Sequence, residues 1–147
     1  MVNNREEAVA AVDEKIEQDL ELLGSTAIED RLQDEVADTI QFMKRVGIKV
    51  WVLTGDKIET AMNIGVSAGL LDSSMAEHII DETTLSELKV TLNNIEREIF
   101  KQQNNKQAII IAGASLVTID HDDELRNMFL KCSDHVDVVL ACRVSPQ

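Results

Sequence analysis

Apolar residues recur along this chain with two alternating periods, and the alternation predicts its elements. Between residues 5 and 20, Val9, Val12, Ile16 and Leu20 stand three or four residues apart in an otherwise charged segment. That spacing predicts an amphipathic helix with a solvated outer face. Residues 20 to 28, Leu-Glu-Leu-Leu-Gly-Ser-Thr-Ala-Ile, read as a strand, and Glu29-Asp30-Arg31 as a polar loop. A second helix is predicted over 34 to 46, with Val36, Ile40 and Met43 facing in. Asp34 suits its N-cap, Lys44 and Arg45 its C-terminal dipole, and Gly47 the residue after its end. Ile48 to Leu53 follows as a nearly unbroken apolar strand, the pattern of a strand covered on both faces. A helix over 57 to 68 then runs to Gly69.

The same alternation continues to the end. His78-Ile79-Ile80 suits a short strand, and Thr84 to about Gln103 a long helix striped by Leu85, Leu88, Leu92, Ile95 and Ile99. Thr84 and Glu87 have the spacing of a capping box. The stripe spans two heptads and so suits a helix packed on a sheet better than a coiled coil. Ala108 to Ala112 reads as a buried strand. Asp122-Asp123 opens a helix carrying Leu125, Met128, Phe129 and Cys132, and Val136 to Cys142 is a last strand. Strands alternating with helices imply a Rossmann-like α/β fold: a parallel sheet, right-handed crossovers and helices on its flanks.

Composition narrows the function classes. The 147 residues are 44% apolar, enough for one core, and only 3% aromatic, so that core is aliphatic. Net charge is −13, from 27 acids against 14 bases, and no basic patch is visible, which argues against a nucleic-acid partner. An anionic ligand must therefore rely on local dipoles and a few cations. Cys132 and Cys142 lack metal-ligand spacing and read as buried free thiols of a reducing compartment. His78, His121 and His135 are scattered, so no metal centre is expected. No apolar run approaches the ~20 residues of a membrane span, and the chain reads as cytosolic.

The sharpest candidate chemistry is Trp-Val-Leu-Thr-Gly-Asp-Lys, residues 51 to 57. An apolar strand stops at Thr-Gly-Asp and a helix-periodic segment starts at once behind it. In parallel α/β sheets this is where ligands bind. Thr54 brings a hydroxyl, Gly55 lets a phosphate approach the backbone, and Asp56 can cap the helix. The free amides of a helix start favour an anion. The bland alternative is a turn at Gly55 and a cap at Asp56, with Lys57 merely solvated. Glu29 and Asp30 are adjacent acids that could hold a cation, although neighbouring side chains usually diverge.

Several segments together resemble the phosphorylation domain of P-type ATPases, in their phospholipid-flipping branch. They are Leu22-Leu-Gly-Ser-Thr-Ala-Ile-Glu-Asp-Arg-Leu-Gln33, Gly47-Ile-Lys-Val-Trp-Val-Leu-Thr-Gly-Asp-Lys57, Glu59-Thr-Ala-Met-Asn-Ile-Gly65 and Cys142-Arg-Val-Ser-Pro146. The likeness runs from about residue 14 to 147 in consistent order. It implies a haloacid-dehalogenase-like Rossmannoid fold that is incomplete here. Residues 1 to 19 would be a helical connection from a nucleotide-binding domain, and 20 to 147 a partial phosphorylation domain.

Carried over by position, Thr54, Gly55 and Asp56 would contact the phosphate end of ATP or an aspartyl-phosphate. Arg143 would contact the nucleotide. Asp30 would support the site at a hinge, and no contacts are assigned to Lys57 or Asn63. The family's nucleophile, the Asp of an Asp-Lys-Thr-Gly motif, does not occur in these residues, nor does the Gly-Asp-Gly motif that holds magnesium, nor the lysine after the Ser-Pro pair. The resemblance thus implies a piece of the cytosolic part of an integral membrane protein, whose parent uses ATP and Mg2+ to move phospholipid. Alone the piece should be inactive and hold no cofactor tightly. Without its neighbouring nucleophile strand, Ile48 to Leu53 would form an apolar sheet edge prone to self-association. The competing expectation is a free-standing Rossmann-like binding module that docks a partner through the Leu85–Ile99 helix.

Overall fold

The computed structural model describes residues 5–27, 31–102 and 105–144. The chain divides into two compact units, Met1–Arg31 and Leu32–Gln147. In the first, helix α1 spans Arg5–Ile16. Its expected apolar stripe, Val9, Val12 and Ile16, is exposed, as is Leu20. The strand expected over 20 to 28 does not form among its described residues 20–27, where Leu22 and Leu23 are 90% and 93% exposed. A strand needs a second one to satisfy its backbone, and the described residues of this unit supply none. Glu29 and Asp30 lie outside the described residues.

The second unit is a four-stranded, all-parallel sheet of order β1-β4-β3-β2. In chain order its elements are α2 (Val36–Arg45), β1 (Val50–Leu53), α3 (Ile58–Ser67), β2 (Ala76–Ile80), α4 (Leu85–Lys101), β3 (Gln107–Ala112), α5 (Gly113–Asp120), α6 (Asp123–Ser133) and β4 (Val138–Cys142). The strands alternate their side chains between two cores. Ile80, Ile109, Ile111, Val139 and Ala141 meet Leu88, Leu92, Ile95 and Ile99 of α4, Ile119 of α5, and Leu125, Phe129 and Cys132 of α6. On the other face Ala108, Ile110, Val138, Leu140 and Cys142 meet Ala61 of α3 and Ala68, Leu70, Leu71 and Met75 behind it.

Four sequence expectations need correction. The α4 stripe is core, with Leu88, Leu92, Ile95 and Ile99 buried, so it cannot also dock a partner; only Leu85, 54% exposed, faces out. Docking through that stripe is therefore excluded. Strand β1 is covered on one face only, because α4, α5 and α6 stand over the other strands. Val50 and Val52 join the second core, while Trp51 and Leu53 are 46% and 69% exposed. Asp34 does not cap α2: the cap position is Glu35, at a left-handed φ of 67°, with no side-chain bond. Finally, α5 went unseen because an opening glycine and the run Val117-Thr-Ile119 disfavour helix locally. Burial of Ser115 and Ile119 overrides that bias.

Other local signals hold. The Thr84 hydroxyl accepts from the Glu87 N–H (3.4 Å) while donating to the Glu87 carboxylate (2.5 Å). Asp122 caps α6 by accepting from the Leu125 N–H (2.9 Å). Gly47 and Gly69, with φ of 81° and 67°, end α2 and α3 in the conformation glycine favours.

Both cysteines are buried free thiols. Burial, then the Glu96 charge, pushes the Cys132 thiol up to about 11. The unfolded chain would lose this proton at an ordinary thiol value, so above that value U binds fewer protons than the native state. Stability is therefore full below pH ~8.5 and falls as pH rises toward about 11, by at most about 1.4 kcal/mol per pH unit. Urea midpoints at pH 8 and 10.5 check this, with Cys132→Ala expected to flatten the decline.

Candidate functional site

The four parallel strands end at one edge of the sheet, and the residues just past their tips form the site. Strand β1 stays in the ladder through Thr54, whose N–H donates to the Ala141 carbonyl of β4 (2.9 Å). The chain then turns beside the exit of β4. The Arg143 N–H donates to the Asp56 carbonyl (3.0 Å) and the Val144 N–H to the Thr54 carbonyl (3.1 Å). Two backbone bonds thus bring Thr54, Gly55, Asp56 and Arg143 together across 87 residues of sequence separation (143 − 56).

Within the loop the Thr54 hydroxyl accepts from the Asp56 N–H (3.1 Å) and donates to Asp56 Oδ2 (2.8 Å). Asp56 is therefore not the cap of α3. That position belongs to Lys57, which makes no side-chain cap bond. The first α-helical amide bond is Ala61 N–H to the Lys57 carbonyl (2.9 Å). The three amides ahead of it, on Ile58, Glu59 and Thr60, point out of the helix start, as leading helix amides must. They carry the positive end of the helix dipole.

Gly55 separates the two sequence interpretations of the loop. It is exposed, and its φ lies outside the left-handed region. A Cβ added there would meet nothing within 4 Å. Neither the turn nor the packing of this chain requires glycine at 55. What the missing side chain provides is open access to the loop backbone from outside.

Two hollows flank the loop. Thr54 and Asp56 line one of about 250 Å³, otherwise apolar, with Val52, Ile64 and Leu140 in its wall. Lys57 and Arg143 line the other, about 400 Å³, together with Glu59, Asp81 and the Ala112-Gly113-Ala114 turn. Arg143 is exposed and sits at a φ of 54°. Below the site, burial raises the Cys142 thiol, and the Asp56 and Glu59 charges add to the rise. Acids thus offset the two cations, and an anion here would depend on amides as well as on Lys57 and Arg143.

Sequence reasoning named Thr54, Gly55, Asp56 and Arg143, which lie together at one edge of the sheet. It left out Gly113 and Asp81, although both follow strands and parallel strands share one carboxyl end. Asn63 is exposed on α3, where the Ser67 hydroxyl donates to its carbonyl (3.0 Å). Asp30 lies outside the described residues. Among the described residues no group of three or more His, Cys, Asp or Glu side chains suits a metal, and no helix is long and apolar enough to cross a membrane.

Residues 2–119 match the family model of the haloacid dehalogenase-like hydrolases, and the chain belongs to that family. Its relatives are more particular. It is 39% identical to phospholipid-transporting ATPase DNF1 of Saccharomyces cerevisiae, across 97% of this chain and 11% of that protein. It is 45% identical to phospholipid-transporting ATPase C887.12 of Schizosaccharomyces pombe, across 90% of this chain and 11% of that protein. With phospholipid-transporting ATPase 10 of Arabidopsis thaliana the figures are 35%, 98% and 14%. The chain therefore spans roughly a tenth of the length of the curated relatives it matches.

Proposed function

We propose that this chain is part of the phosphorylation domain of a phospholipid-transporting P-type ATPase, and that Thr54-Gly55-Asp56 is its phosphate cup. The observation that carries the proposal is Gly55, which is glycine with no internal need to be. In the parent reaction an aspartate outside these residues attacks the γ-phosphorus of ATP, so that one difficult transfer becomes two easier ones. Charge develops on the equatorial phosphoryl oxygens. The loop amides and the leading amides of α3 are fixed dipoles that can meet it without reorganising. Thr54 holds the loop closed through its paired bonds with Asp56. Arg143 supplies a permanent planar cation for the nucleotide. Magnesium accompanies ATP in such reactions; the described residues provide no cluster of three His, Cys, Asp or Glu side chains for it.

The 147 residues by themselves are expected to release no phosphate from ATP, because the reactive carboxylate is not among them. Steady release that scales with the purified chain and disappears in Asp56→Ala would contradict the proposal. Reading the gene beyond both termini tests it independently: an Asp-Lys-Thr-Gly motif upstream is expected. In the parent, phospholipid would be moved by membrane segments, with this unit on the cytosolic side.

The proposal carries a second expectation. Among the described residues strand β1 is a sheet edge, paired only with β4. From Val50 to Leu53 it carries no charge and no proline, the usual guards of such an edge. Lys49 is turned back to the Asp134 carbonyl. The chain should self-associate at high concentration through this edge, without physiological meaning. Sedimentation should show concentration-dependent association that Leu53→Lys suppresses; a strictly monomeric profile would argue against it.

A further inference from the structure

Gly113 closes β3 and opens α5, buried against the exit of β4. A Cβ added there would stand 2.4 Å from the Arg143 carbonyl oxygen, 3.0 Å from its carbonyl carbon and 3.2 Å from the Cys142 carbonyl oxygen. All three neighbours are backbone, so no side-chain rotation relieves the overlap. No other glycine in the chain is met this way: Gly65 and Gly69 face side chains, and Gly24, Gly47 and Gly55 face open space.

The atoms that Gly113 admits are those that shape the site. Arg143 takes a left-handed φ of 54°, uncommon for a residue with a side chain. Its N–H holds the Asp56 carbonyl, and the next N–H holds the Thr54 carbonyl. A side chain at 113 would push the Arg143 carbonyl outward. The peptide that follows carries the Val144 N–H, so the push would reach the Thr54 loop through its backbone bond.

We propose that Gly113 is a positioning residue for the phosphate cup, setting where Arg143 points and how the Thr54–Asp56 loop lies against β4. Its consequence for ligand binding rests on the phosphate-cup assignment, whereas its geometric half is read without ligand. The test uses 15N-labelled full chain with Mg·ATP as the probe, and Gly113→Ala beside Leu92→Ala, a core change remote from the loop. In the free protein, Gly113→Ala should move the Arg143, Val144 and Asp56 amide resonances, and Leu92→Ala should leave them in place. With Mg·ATP, Gly113→Ala should weaken the response at Gly55 and Asp56 about tenfold, the weight of one hydrogen bond to a charged group. Unmoved Arg143 and Asp56 amides in Gly113→Ala overturn the proposal whatever the ligand does. An unaltered chain silent to Mg·ATP overturns the phosphate-cup assignment instead. Should Gly113→Ala not fold, amide exchange in the unaltered chain decides: protection of Arg143 and Val144 matching that of β4 supports the platform, and exchange at the rate of exposed loops refutes it.

Discussion

Leu92→Ala is expected to destabilise the chain by about 2–5 kcal/mol, the range for emptying a fully buried leucine site. Leu92 is 0% exposed, midway along α4. It lies in the core that joins β2 and β3 to α6. Its carbonyl also accepts from the Cys132 thiol (3.9 Å). Of the strands beneath, β3 is pinned by parallel ladders on both sides, so the cavity can close only partly. Urea denaturation should show a lower midpoint with an unchanged slope. Leu85→Ala on the same helix is the contrast. That side chain is more than half exposed, and the expected change is within about 0.5 kcal/mol. Equal effects at both positions would mean that α4 does not lie on the sheet as described.

Gln107→Leu should cost a comparable amount by a different mechanism. Gln107 is 2% exposed at the start of β3. Its amide nitrogen donates to the carbonyls of Ile99 (3.4 Å) and Gln102 (3.2 Å), which orients its oxygen toward His78 Nε2 (2.9 Å). Leucine has similar volume, so little cavity forms, yet the His78 N–H and the Ile99 carbonyl lose this partner, while the Gln102 carbonyl keeps the Asn105 N–H (2.9 Å). Each buried polar group left unsatisfied costs about 1–3 kcal/mol. His78 keeps only Glu98, at 3.4 Å from Nδ1. A loss of at least about 2 kcal/mol in the urea midpoint analysis is expected. A neutral substitution would show that water replaces the glutamine freely and that this end of the sheet is open.

The parallel sheet was legible because β3 and β4 are buried on both faces and are written in unbroken apolar residues. The same rule failed at β1. An apolar run shows what a strand tolerates, not which helices reach it, and Trp51 and Leu53 face outward because, among the described residues, no helix on that side extends so far. The strand expected over 20 to 28 does not form among its described residues 20–27 for a related reason: strand composition does not make a strand without a neighbour. Asp56 looked like a helix cap because acids commonly occupy that position. The nearer Thr54 hydroxyl captured it, since a Thr-x-Asp spacing lets side chain and backbone close a turn first.

Within the site, Thr54 to Asp56 could be read because strand end, loop and helix start adjoin in sequence. Arg143 was reachable only through family resemblance, since its approach depends on β1 and β4 being neighbours in the sheet. Gly113 is marked in the sequence only as a residue that follows a strand. Its significance is a contact with the backbone of a residue 30 positions later (143 − 113), which no local pattern carries.

The most direct test of the phosphate cup is an amide-resolved titration of the full chain with Mg·ATP, run in parallel on Gly55→Ala. Binding should be weak, roughly millimolar or poorer, because one loop offers few contacts. The shifts should centre on Gly55, Asp56, Lys57 and Arg143. Gly55→Ala should melt at the same temperature, since its methyl group enters open space, yet lose most of that response. An unchanged response in Gly55→Ala, or shifts centred elsewhere, would contradict the account.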